Sequence, residues 1–256
     1  MLRVLTVVTL VGLVTPAIAL PCPDEANALG TSRVLAVDVA KTPRVGRKQF
    51  PATLPLAPKE VVLTFDDGPW PGTTPRVLAA LARECVHATF FLLGRNVAAH
   101  PELARRIAAE GHTVGHHTWS HRLLDRIPLA AATAEIDRGI AAVEEALKGS
   151  AGSGGAAPFF RFPGFAASPA VLQMLEQRRM VVFGADLWAS DWNPMTPARE
   201  LRLVLQRLAA AGGGIVLLHD TKAQTASMLP ALLRELKKRG YHIAHVVPAG
   251  SPMINP

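Results

Sequence analysis

An α/β fold built on a parallel sheet is what this sequence predicts, on three observations. From Glu60 onward, short β-branched or aromatic runs alternate with amphipathic helical stretches. Helix punctuation falls where that alternation needs it. Chemically reactive side chains gather just past the ends of the strand-like runs. Periodicity alone leaves open whether such a sheet stays open and doubly wound or closes like a barrel.

The strand candidates are residues 61–65, 88–93, 112–116, 159–162, 180–185, 214–218 and 241–247. Seven strands separated by six helical patterns require right-handed crossovers between parallel neighbours. Ile136, Ile140, Val143 and Leu147 recur at helical spacing, as do Leu201, Val204, Leu205 and Leu208. Thr74-Pro75, Ser168-Pro169 and Thr196-Pro197 each offer a capping residue followed by proline at the first helical position. Gly111, Gly149, Gly212 and Gly240 stand where helices should stop. Residues 151–157 (AGSGGAA) read as a loop too short to mark a domain boundary. Residues 20–59 are proline-rich apart from a possible strand at 34–39, and read as an N-terminal extension packed on a catalytic domain spanning 60–256.

A chain of 256 residues, 49% hydrophobic and 18% charged, is long enough for one large domain with a substantial core, and its composition argues against disorder. Residues 1–19 form a separate unit. Arg3 precedes an apolar run over 4–13, and Ala17-Ile18-Ala19 supplies small residues at the usual cleavage spacing. The expectation is a signal peptide and an exported protein, periplasmic or secreted. An uncleaved anchor is the second reading, although the run is short for a bilayer span and contains Pro16. Pro21 directly before Cys22 is a poor fit to a lipid-modified terminus. The formal charge of +7 suits attraction to an anionic wall or membrane surface, or simply a soluble basic surface. No Lys/Arg-rich block or aromatic-basic motif points to nucleic acid, and nothing implies a stable protein partner. Cys22 and Cys85 are too few for a disulfide scaffold; one bridge is open to them, but their spacing does not demand it.

The chemistry collects at the strand ends. Asp66 and Asp67 follow the first strand, His117 and His121 the third, and Arg161 ends the fourth; Asp186 and Asp191 follow the fifth, and His219 ends the sixth. Two adjacent carboxylates before a Gly-Pro turn can stabilise that turn. They can also divide roles, one binding a cation and the other handling a proton. His117 and His121 are four apart, and on a helix both rings would share one face. Two histidines and a carboxylate suit zinc and leave a coordination position open. Arg161 lies in an apolar strand, PFFRFPGF, where an unpaired guanidinium is expensive, so an ion pair is expected. Asp191 beside His219 would fix the imidazole tautomer and support its protonated form.

TFDDGP, HTWSH, RFPGF, ASDW and LLHD, in that order, resemble the polysaccharide deacetylases, the NodB-homology group of carbohydrate esterases. The resemblance spans roughly 60–247. It implies a distorted seven-stranded (β/α) barrel, a divalent metal, commonly zinc, and removal of N-acetyl groups from an N-acetylated polysaccharide such as a chitin-like polymer, peptidoglycan or poly-N-acetylglucosamine. It further implies that Asp67, His117 and His121 are metal ligands, that Asp66 is the general base, and that Arg161 orients Asp66. His219 would be the general acid, with Asp191 orienting it. Gly164 would offer a backbone donor to the oxyanion, and Trp192 and Leu217 would line the pocket for the acetyl methyl. Two positions depart from the family pattern: Gly164 stands where tyrosine is frequent, and His116 where asparagine is frequent. His116 reads either as a supporting or surface residue or as an extra metal contact. An O-acetyl esterase acting on xylan, or another carbon–nitrogen amidohydrolase, is the alternative within catalysis; a silent glycan-binding module is the alternative outside it.

Overall fold

Apolar runs of four to seven residues between amphipathic helices leave the central strands, residues 60–66, 89–92, 113–116 and 214–219, buried on both faces, and that is the environment of a parallel sheet. The computed structural model describes residue 22 and residues 26–149 and 155–251; the expected signal peptide at 1–19 and residues 151–154 of the glycine-rich loop lie outside the described residues. In chain order the described strands and helices are β1 (Thr31–Val37), β2 (Arg44–Val45), β3 (Glu60–Asp66), α1 (Thr74–Arg83), β4 (Thr89–Leu92), α2 (Gly94–Ala99), α3 (Pro101–Ala109), β5 (Thr113–His116) and α4 (Leu129–Leu147). They continue with β6 (Phe159–Phe160), α5 (Pro169–Gln177), β7 (Val181–Phe183), β8 (Leu187–Trp188), α6 (Pro197–Ala211), β9 (Gly214–His219), α7 (Ala223–Lys238) and β10 (His242–Pro248). No described helix is long and apolar enough to cross a membrane.

Seven strands form the wall of a distorted barrel in the order β8-β9-β3-β4-β5-β6-β7, every pair parallel. The wall is open between β7 and β8, which do not pair. Its membership differs from the sequence expectation at one strand. β10 touches β3 only through His242–Glu60 and Ile243–Val61, then runs alongside β1. The seventh wall strand is the two-residue β8, too short to show a period in the sequence.

Residues 31–45 extend the same sheet, β1 on β10 and β2 on β7. The chain after β2 is stitched across the open seam. Asp186 accepts from Arg47 N at 2.9 Å, Thr53 Oγ1 at 2.8 Å and, across the seam, Ile215 N at 2.8 Å. By its place in sequence Asp186 falls among the reactive residues, but both of its oxygens are spent on this clamp. Cys22 and Cys85 are joined by a disulfide that ties residue 22 to the turn before β4.

Strand alternation separates the barrel interior from two clusters under the helices, the smaller of which joins Phe160 and Val182 to Ile136 of α4 and Leu175 of α5. Val61, Leu63 and Phe65 of β3 face outward into a cluster shared with α1, α3, α4, α6 and α7. Val62, Phe91, Phe159, Val181, Phe183 and Ile215 form a second cluster that includes no helix residue and fills the barrel. The helices obey their punctuation with one shift. Ser168 and Thr196 accept from Val171 N and Arg199 N as caps, whereas Thr74 lies inside α1 and Thr73 is its cap. Gly212, at φ 75°, ends α6 in the left-handed conformation that glycine adopts without steric cost. His100-Pro101 splits the crossover between β4 and β5 into α2 and α3.

Candidate metal centre and acid–base pair

The site is assembled where β3 stops. Asp66 is the last residue of β3 and, with Val62 and Thr64, lies on the strand face that fills the barrel. Asp67 follows at φ 75°, a left-handed conformation that aspartate tolerates better than most residues. Asn96 Nδ2 donates to Asp67 O at 2.7 Å, and Leu93 N donates to Gly68 O at 3.0 Å, so the strand end is pinned to α2. A Cβ on Gly68 would lie 2.2 Å from Asp220 Oδ2, which explains the glycine in DDGP. Asp220 in turn accepts from Thr74 Oγ1 at 2.5 Å, and Thr74 Oγ1 accepts from Trp70 N.

Asp67, His117 and His121 converge, each offering one ligand atom within 4.8 Å of the others. Asp67 Oδ1 lies 3.5 Å from His117 Nε2 and 3.4 Å from His121 Nε2. His117 Nδ1 donates to Arg161 O at 2.7 Å, which leaves the Nε2 lone pair aimed at Asp67. Burial above all pushes the His117 pKa down to about 3, so the ring is neutral, the form that binds metal. Asp67 Oδ1 is buried with no hydrogen-bond donor. A buried carboxylate oxygen with no donor, facing the His117 Nε2 lone pair and 3.4 Å from His121 Nε2, fits a divalent cation. The helix considered for HTWSH is absent. Thr118 and His121 instead take left-handed φ values of 69° and 67°, and Thr118 Oγ1 accepts from His121 N, so a tight loop brings the rings to 5.2 Å. His116 is neither a surface residue nor a member of this cluster: it is buried, and burial lowers its pKa to about 4.

Asp66 and Arg161 form a buried ion pair at 2.7 Å, through Nη1 and Oδ1. Arg161 is fully buried, and its other contacts are all acceptors: Thr64 Oγ1 at 2.8 Å, Gly184 O at 2.9 Å and Phe183 O at 3.3 Å. Its guanidinium carbon lies 4.3 Å from the centroid of the Phe91 ring. Such completeness is what makes a buried cation tolerable. Burial raises the Asp66 pKa, against the pull of Arg161. Asp66 Oδ2 faces the cluster, 3.9 Å from His117 Nε2.

His219 is the register partner of Asp66 on the adjacent strand β9, so the two side chains stand side by side. Asp191 grips His219 twice, Oδ1 at 2.7 Å from Nδ1 and Oδ2 at 2.7 Å from the backbone N. Burial opposes charge on His219, but Asp191, Asp66 and Asp67 together raise its pKa to about 9. Its Nε2 points back at Asp67 Oδ2, 3.9 Å away. The half-exposed Trp192 ring stands edge-on to His219 with centroids 6.1 Å apart, and the Trp188 ring centroid lies 6.2 Å from that of Trp192. Leu217 is buried one inward step below His219 on β9. Gly164 is exposed in a short turn at φ 56°, a conformation that disfavours the tyrosine frequent at this position. Four side chains not singled out in the sequence also shape the site: Thr64 under Arg161, Asn96 on Asp67, and Thr225 with Glu200 behind Asp191, the last two bonded to each other at 2.9 Å.

The family model for polysaccharide deacetylases matches residues 54–183. A peptidoglycan-N-acetylglucosamine deacetylase of Listeria monocytogenes is 32% identical over 221 residues, 84% of this chain and 45% of that protein. A chitooligosaccharide deacetylase of Rhizobium leguminosarum bv. trifolii is 34% identical over 199 residues, 72% of this chain and 89% of that protein. Among solved structures, a peptidoglycan deacetylase of Bdellovibrio bacteriovorus aligns with a TM-score of 0.77 at 31% identity, covering 88% of this chain and 61% of that one. The chain therefore spans less than half of the Listeria relative's length.

Proposed function

The chain belongs to the polysaccharide deacetylase family, and from that membership we propose that it hydrolyses N-acetyl groups on an extracytoplasmic polysaccharide, peptidoglycan foremost, releasing acetate. The observation that supports this best is one rim holding a cation triad, a base and an acid: Asp67, His117 and His121; Asp66; His219. Relatives named as deacetylases of peptidoglycan and chitooligosaccharide support the substrate class. They also support export, for which 1–19 would serve as the signal peptide, with 20–59 as an extension of the catalytic domain 60–256.

Asp67, His117 and His121 would hold the cation, for which zinc suits the donor set. When bound, it supplies Lewis acidity to the acetyl carbonyl and lowers the pKa of water. Asp66 accepts the proton of the attacking water at Oδ2, while Arg161 fixes Oδ1 and keeps the carboxylate from turning away. The backbone N–H near Gly164 donates to the developing oxyanion. His219, charged through Asp191, gives its Nε2 proton to the departing nitrogen. An amine leaves poorly without that proton, whereas an alkoxide needs it less, and so the well-braced acid favours N-acetyl over O-acetyl substrates. Leu217 and Trp192 border the space beside His219 for the acetyl methyl.

Acetate release from peptidoglycan, chitin oligomers and acetylated xylan, with added zinc, tests the reading. Turnover on either N-acetylated glycan is expected; turnover on xylan alone, or glycan binding with no turnover, would overturn it.

A further inference from the structure

Behind Asp191 lies a buried acid that the proposed reaction does not use. Glu200, in the first turn of α6, is fully buried, and so is Thr225 in the first turn of α7. Thr225 Oγ1 lies 2.8 Å from Asp191 Oδ2 and 2.9 Å from Glu200 Oε1. A hydroxyl has one hydrogen to give. Asp191 already accepts from His219 N and faces His219 Nδ1, so it is an acceptor and Thr225 must donate to it. The contact to Glu200 is then a hydrogen bond only if Glu200 is the donor, which makes it a neutral carboxylic acid.

Two further observations agree. Glu200 Oε2 is buried with no partner, tolerable for the carbonyl of a neutral acid but costly for an anion. Burial above all, and then the Asp191 charge, push the Glu200 pKa up to about 7. We propose that Glu200 is a positioning residue: as a hydrogen-bond donor it turns the Thr225 hydrogen onto Asp191 and so holds Asp191 against His219. This rests on His219 acting as the acid of the proposed deacetylation.

The test uses the full chain with added zinc. Glutamine can still donate to Thr225, so Glu200→Gln should keep kcat near the wild-type value. Glu200→Leu and Thr225→Val lose the donor or the relay, and should lower kcat roughly tenfold with KM little changed. Infrared difference spectra at pH 6 read the protonation directly. The wild-type-minus-Glu200→Gln spectrum should show the carbonyl stretch of one neutral carboxylic acid, over and above that of Asp220, whose pKa is also raised to about 7 and which both proteins share. The proposal fails if Glu200→Gln is as slow as Glu200→Leu, if Thr225→Val keeps wild-type kcat, or if the infrared band is unchanged by Glu200→Gln. Should Glu200→Leu not fold, Thr225→Val and the infrared band still decide. A wild type that releases no acetate sinks the functional reading instead, and the infrared band still tells whether Glu200 is neutral.

Discussion

At the scale of single residues, the two adjacent aspartates differ in what surrounds them. Asp66 is held at Oδ1 by Arg161 and is not among the candidate ligands, whereas Asp67 Oδ1 faces two imidazoles and has no donor. Asp66→Asn should therefore lower kcat by about 10²–10⁴, the usual worth of a general base, and leave one metal bound per chain. Metal analysis beside an acetate assay checks both halves. Near-normal turnover would remove Asp66 from its role, and lost metal would make it a ligand. These residues could be named from sequence because each chemistry needs a particular side chain at a strand end. Glu200 could not be singled out that way, since nothing in a helix marks one glutamate as neutral. Its one trace is position: four before Val204 and eight before Leu208, it falls on the apolar stripe of α6.

At the scale of elements, long periodic segments were legible and short ones were not. Strands β3 and β9 and helices α4 and α6 lie within a residue or two of an apolar pattern visible in the chain, or extend it by a turn or more. β8 and β2, at two residues each, have no period to read, and the loop joining His117 to His121 depends on left-handed backbone that residue type does not announce. The seam between β7 and β8 is the consequence. With no ladder there, Asp186 joins residues 47 and 53 to the start of β9. Asp186→Ala would strand two backbone N–H groups and a hydroxyl, and should cost about 2–4 kcal/mol of stability. Urea unfolding measures this. Stability equal to the wild type would show that the extension does not depend on the clamp.

At the scale of the whole molecule, buried ionisable groups set how stability depends on pH, and their signs oppose one another. Burial lowers the folded-state pKa of His87, His112, His116, His117 and His245. Three of these, His87, His112 and His245, cluster away from the acid–base pair, with ring centroids 5.8 Å and 5.4 Å from His87. Each stabilises the fold fully above the unfolded histidine pKa of about 6.5, and that contribution drains away as pH falls toward the folded value. Four carboxyls act the other way. Asp66 and Glu144 are raised, and Glu200 and Asp220 reach about 7, so folding of these groups is favoured while they keep protons that the unfolded chain has lost. Below pH 6.5 the two sets therefore oppose each other, the histidines adding stability as pH rises and the carboxyls removing it. Above pH 6.5 the histidines contribute no further gain, the carboxyls finish titrating, and His219 takes over. Its pKa, raised to about 9, gives stability that is complete below about 6.5 and is lost as pH climbs through 9, roughly 3 kcal/mol in all. The chelator-treated protein, in which no cation competes for Asp67, should therefore lose Tm steadily as pH rises from about 6.5 to 9. Replacing Asp191 by Asn removes the main partner that raises His219, so the alkaline fall should flatten in that variant. An alkaline limb that is the same in both proteins would mean that the Asp191–His219 pair does not hold the charge assigned to it.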